Sequence, residues 1–250
     1  MQIKTLDVGD GRYDVTCPSL LVEQVESFDQ LLALVDELGA KHPDERVLMS
    51  LDDLHQAGYT SMHATMTHGL DRDEGHDLSG VDPAASKFFV LEANFRKRCG
   101  AASFDDACAR GLVLDDEQMS TLERINEDPA LILDDEVVVR RVPVRESSMV
   151  ISALPNGYFV DDLDPFENYA LAEHLRLHYG YRLFGMGASC IAFRREQPLD
   201  AAMAARLGDD LARLYHCTEE PERAARFARI AQRHGTLLLK YAETLSPVGR

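Results

Sequence analysis

The stretch from Leu154 to Cys217 constrains the chain most, because it carries the clearest stops and starts and the most regular alternation. Asp164-Pro165-Phe166-Glu167 is a helix start. The aspartate can accept from free backbone N–H groups, proline suits the first helical position, and Glu167 completes a capping box. The helix should run to about His178 and stop at Gly180, a residue that readily takes the left-handed cap conformation. Tyr181 to Phe184 and Cys190 to Phe193 then read as a hairpin, and a second helix should cover Asp200 to about His216. Upstream, Met149 to Leu154 reads as a strand; downstream, Thr236 to Tyr241 reads as a strand or a helix. With a strand in that last place the order becomes β-α-β-β-α-(α)-β, the split β-α-β or ferredoxin-like arrangement.

From Leu175 to Cys217 the motif L-R-x-x-Y-G-Y-R-L-x-G-M-G is followed by Ile191-Ala192-Phe193 and an alanine-rich helix ending Leu214-Tyr215-His216-Cys217. This resembles the C-terminal domain of an uncharacterised bacterial family, domain-of-unknown-function family four-two-five-three. Its members end the helix in an aromatic-Cys-Pro-Asp signature; here the aromatic is Tyr215, and Thr218-Glu219 replace Pro-Asp. The resemblance rests on structural residues, so it implies a bacterial origin and a fold, and it carries no activity.

The N-terminal half reads as mixed α/β. Ile3 to Val8 and Tyr13 to Cys17 suggest a hairpin across Gly9-Asp10-Gly11-Arg12. Ser27-Phe28-Asp29-Gln30 opens an amphipathic helix closed by Gly39, and Arg46 to Leu51 suggests a buried strand. Residues 67–86 form the longest polar interruption, a loop of a length that is often functional. Lys87 to Leu91 then reads as a strand, Ser103 to Asp106 as a helix start, and Asp116 to Asn126 as a helix. Glu136 to Val144 reads as a strand whose Pro143 places it at a sheet edge. The expected class is α+β, with an acidic portion over 1–146 and the split β-α-β unit over 147–250, or one continuous domain.

Charge divides the same way. Residues 1–150 carry 30 acidic against 14 basic side chains, a net of −16, whereas 151–250 carry 13 against 12. An acidic half argues against nucleic-acid binding, which needs clustered Lys and Arg, and could steer a basic protein partner onto the molecule. Five scattered cysteines without a C-x-x-C spacing suit reduced thiols, hence a cytoplasmic location. No apolar run approaches the roughly 18–20 residues needed to span a bilayer, and Met1-Gln2-Ile3-Lys4 does not open a signal peptide.

No catalytic signature is present: there is no G-x-S-x-G, and neither glycine pair is followed by the helix and lysine of a phosphate loop. Histidines give the metal candidates. His63, His68 and His76 lie in or near the polar loop with Asp71, Asp73 and Asp77, and His174 and His178 share a helix face at i, i+4. Packed or hydrogen-bonded histidines are the plainer reading of both. On the last long helix Arg226, Arg229 and Arg233 fall within about 60° of one another at roughly 100° per residue, as a solvated face docked on the acidic half or a partner-binding ridge. The function expected is a non-enzymatic acidic interaction module, such as an immunity or antitoxin-like inhibitor of a basic partner. The alternative is a metal-binding domain or metal-dependent enzyme holding a divalent ion with those histidines.

Overall fold

The computed structural model describes residues 1–245; positions 246–250 of the expected C-terminal unit lie outside the described residues. The architecture is α+β. Seven strands, β1 (Gln2–Leu6), β2 (Ser19–Glu23), β3 (Arg46–Ser50), β4 (Glu136–Val142), β5 (Arg182–Met186), β6 (Cys190–Arg194) and β7 (Thr236–Lys240), form one mixed sheet. Their order is β1-β2-β4-β3-β5-β6-β7, antiparallel throughout except for the parallel pair β3 and β5. That pair lies on either side of the charge change near residue 146, so the sheet continues across it.

The helices are α1 (Phe28–Lys41), α2 (Leu54–His68), α3 (Pro83–Arg98), α4 (Phe104–Ala109), α5 (Asp116–Glu127), α6 (Pro165–Tyr179), α7 (Ala201–Leu214) and α8 (Pro221–Arg233). Several of their ends follow the capping chemistry, although α1 runs past Gly39 to Lys41. Ser27 accepts from the Gln30 N–H, Asp164 and Glu167 form a reciprocal capping box, and Gly180 closes α6 at φ +73°. Alternation along the central strands sorts side chains between two sheet faces. Val22, Val137 and Val139 enter the main core, while Leu21 and Val138 join Leu6, Tyr13, Val15 and Leu54 in a smaller cluster.

Five expectations are corrected. β1 pairs with residues 19–23 instead of 13–17, because 7–18 form a longer connection whose Tyr13 donates to Glu136 at 2.9 Å. Lys87 to Leu91 lies inside α3, where the Asp82 cap and Pro83 start a helix that buries Phe88, Leu91 and Phe95. β4 is central, between β2 and β3, and ends at Val142, so Pro143 falls just past the ladder and removes no strand hydrogen bond. Met149 to Leu154 is not a strand: Ser147–Ala153 form a 3-10 helix in which every residue is buried. The first strand of the split β-α-β unit is therefore missing, and β5, β6 and β7 lie as consecutive neighbours rather than in that arrangement.

Candidate functional site

The site is built where β3 ends and α2 begins. The carboxylate of buried Asp52 accepts from the Ser189 hydroxyl (2.6 Å), the Ser189 N–H (2.9 Å) and the Cys190 N–H (3.2 Å). Ala188 N–H donates to the Asp52 carbonyl at 2.9 Å, and a Cβ on Gly187 would run into Asp52 itself. The end of β3 is thus clamped to the β5–β6 turn. Asp53, at φ +40°, caps α2 by accepting from the Gln56 N–H.

Beyond Leu54, α2 turns only small residues inward: Ala57, Thr60, Ser61 and Ala64. The helix consequently sits close to the body, and its large side chains face solvent. Tyr59, Met62 and Met66 are 50%, 44% and 59% exposed, and with His63 they fall at i, i+3, i+4 and i+7, a single stripe.

A second segment, 155–163, lies alongside that stripe and is held by buried amides. Asn156 Nδ2 donates to the carbonyls of Ala57 and Gly187, both at 3.2 Å, while the Thr60 hydroxyl donates to Asn156 Oδ1. Asn168 Nδ2 donates to the carbonyls of Asn156 (3.1 Å) and Leu163 (3.0 Å), closing the segment from behind. Gly157, at φ +109°, lets the Leu163 carbonyl occupy the space of a side chain. So pinned, the segment presents Tyr158, Phe159 and Val160 outward, with Val160 82% exposed. The two segments make one surface. His63 lies between Tyr59 (ring centroids 4.3 Å) and Tyr158 (4.9 Å), and Tyr158 is 5.4 Å from Phe159.

Charge frames this apolar face. The connection 69–82 directly after α2 carries exposed Asp71, Asp73, Glu74, Asp77 and Asp82 against one base, Arg72. At the other end of the helix stands exposed Asp53, its N-cap. An apolar strip with acidic ends favours a partner whose hydrophobic anchors are flanked by cations.

The histidines do not assemble into a ligand set. His63 belongs to the aromatic face, and His68 packs on Phe166 at 5.1 Å, where burial lowers its pKa despite the opposing carboxylate of Asp164. His76 is bonded to Asn94 Oδ1 at 2.8 Å. His174 and His178 are adjacent, with centroids 4.5 Å apart, but His174 stacks on Phe104 at 3.8 Å and its Nε2 meets Asp210 at 2.6 Å. The Tyr179 hydroxyl donates to the same Asp210 oxygen at 2.6 Å, so this network fastens α6 to α7. Among the described residues no group of three or more His, Cys, Asp or Glu is placed to hold a metal ion. The thiols are not poised as nucleophiles either: burial pushes Cys17 and Cys108 up to about 11, well above neutral pH.

On α8 Arg226 is half-buried while Arg229 and Arg233 stay exposed, so the arginine face is a solvated one that is tied to α5. Arg226 grips Glu123 through Nε (2.9 Å) and Nη2 (2.6 Å), which lowers the Glu123 pKa, and Arg233 meets Glu127 at 2.6 Å. Arg229 lines the same cleft between α5 and α8, about 650 Å³ in volume. The acidic N-terminal half is therefore the docking surface of Arg226 and Arg233.

Sequence reasoning missed Tyr59, Met62, Met66, Tyr158, Phe159 and Val160. The i, i+3, i+4, i+7 spacing on α2 was visible, but such a stripe ordinarily marks a core face. Against known proteins the chain matches no family model, no curated protein and no solved structure. Among the described residues no helix is long and apolar enough to cross a membrane.

Proposed function

We propose that this chain is a non-enzymatic, acidic protein-interaction module of bacterial origin, acting as an immunity or antitoxin-like inhibitor that docks a basic partner. One observation carries the reading: the contiguous exposed face of Tyr59, Met62, Met66, Tyr158 and Phe159 on a rigidly pinned helix and segment. Monomeric proteins rarely leave such apolar groups together unless something covers them. Aromatic residues are the usual anchors of interfaces, and methionine side chains adapt to a partner's shape. The acidic ends of the strip supply the charge to match, and the chain's net charge of −17 would steer a cationic protein toward it.

A photo-crosslinking amino acid placed at Tyr59 or at Tyr158, in the native host, tests the reading. Both positions should capture the same basic polypeptide, while the probe at Leu177, which is exposed on α6, should not. Equal capture from Leu177, or an acidic captured protein, would refute it.

A further inference from the structure

At the other end of the parallel pair lies a groove of about 1180 Å³. It is bounded by the starts of β3 and β5, the end of β6 and the carboxyl ends of α1 and α6. In a chain of net charge −17, this groove is lined by six arginines: Arg46, Arg145, Arg176, Arg182, Arg194 and Arg195. Its acidic lining is Asp36, Glu45, Glu146 and Glu196, which leaves a net of +2.

The internal pairings leave part of that cationic charge unmatched. Arg194 holds Asp36 through two contacts of 2.7 and 3.0 Å, and Arg176 holds Glu173 through contacts of 2.8 and 2.9 Å. Arg46 donates to the carbonyls of Pro43 and Glu45. Glu45 is taken by Arg141 at 3.2 Å and Glu146 by Arg96 at 3.7 Å. Among the described residues no carboxylate lies within ion-pair distance of Arg145, Arg182 or Arg195. Arg195 lies over the Tyr181 ring at 5.8 Å, and its Nη1 is shielded from solvent without a hydrogen-bond partner. The carboxyl ends of α1 and α6 favour nearby cations. That accounts for Arg176 and Arg182 beside Gly180, but not for Arg145 and Arg195, which sit on other segments.

We propose that this groove binds a small molecule carrying two or more phosphates, seated between Arg145, Arg182 and Arg195. Guanidinium forks match phosphate oxygens two at a time. A clustered anion supplies several charges in one place, where a single carboxylate supplies one. The acidic surface elsewhere repels a long nucleic acid, and the lining offers no exposed aromatic ring on which bases could stack. This groove and the aromatic face are separate, so either can fail alone.

Isothermal titration of the full chain with sodium tripolyphosphate tests the proposal. One equivalent should bind, more weakly as salt rises. The Arg182→Gln/Arg195→Gln variant should lose at least about tenfold in affinity, as loss of charge-assisted contacts requires. Arg145→Gln/Arg182→Gln, which changes two exposed side chains and so spares the fold, should also weaken binding. Arg229→Gln, in the other cleft, should not. Competition by adenosine triphosphate supports the site. Absence of binding at millimolar tripolyphosphate, equal competition by sulfate, unchanged affinity in both double variants, or an equal loss in Arg229→Gln would overturn it.

Discussion

The outer edge of β7 is completed by side chains, and one truncation measures what that is worth. Asn126 on α5 is buried at 2% exposure. Its Oδ1 accepts from the Leu238 N–H at 2.8 Å and its Nδ2 donates to the Leu238 carbonyl at 3.0 Å, so the amide imitates a neighbouring strand. Two residues on, the Tyr215 hydroxyl does the same for Lys240, accepting from its N–H at 3.0 Å and donating to its carbonyl at 2.7 Å. Asn126→Ala orphans two buried backbone groups at once. At about 1–3 kcal/mol for each of the two unsatisfied groups, the loss should be about 2–6 kcal/mol. For a chain of this size that is a fall in Tm of roughly 4–24 °C. Urea unfolding followed by circular dichroism reads it as a lower midpoint at unchanged slope. Tyr215→Phe should fall in the same range. The effect should also reach the aromatic face, because Tyr241, just after β7, accepts from the Leu163 N–H at 2.8 Å. If both variants stay within about 0.5 kcal/mol of the parent, the strand-mimic argument is wrong.

Three further outcomes follow from close contacts and burial. Gly157→Ala forces a side chain against the Leu163 carbonyl at positive φ, adding roughly 1–3 kcal/mol of strain; hydrogen exchange should show residues 155–163 opening first. Gly208→Ala pushes α7 away from α8, since the new methyl meets the Ala224 carbonyl, and thermal unfolding should register about 1–3 kcal/mol. Lys240 is buried with its ammonium directed at the carbonyls of Val113 and Glu243 and the Gln118 amide, and burial lowers its pKa to about 8. Below that pH both folded and unfolded chains are protonated and the cost is constant. Between about 8 and 10.5 the unfolded chain holds the extra proton, so Lys240 should contribute on the order of 3 kcal/mol of rising stability. The stability difference between the parent and Lys240→Met, measured from pH 7 to 10.5, should shift in the parent's favour; a flat difference would contradict the assignment.

The sequence was most informative where local chemistry decides structure. Asp164, Glu167 and Gly180 bracket α6 by capping alone, and Ser27 does the same at the start of α1. It misled where tertiary placement decides. Lys87-Phe88-Phe89-Val90-Leu91 is as good a strand as a helix by composition, and the Asp82-Pro83 start settles it. A continuous apolar run such as Met149 to Leu154 has no period, so its burial was legible and its 3-10 form was not. The α8 arginines were expected as a solvated face docked on the acidic half or as a partner-binding ridge; Arg226 and Arg233 meet Glu123 and Glu127 of that half, Arg233 while still exposed. The aromatic face was hidden because exposure is not written in spacing. Tyr59, Met62 and Met66 face solvent only because Ala57, Thr60, Ser61 and Ala64 occupy the inner side of the same helix.

Native mass spectrometry tests the central claim most directly, on the protein isolated gently from its own host beside a Met62→Gln/Tyr158→Ser variant. The account predicts a mass of 27.9 kDa plus one basic polypeptide for the parent. That complex should weaken as salt rises and be absent for the variant, whose changes lie on exposed side chains. A bare 27.9 kDa species from the parent, or a partner retained undiminished by the variant, would contradict it.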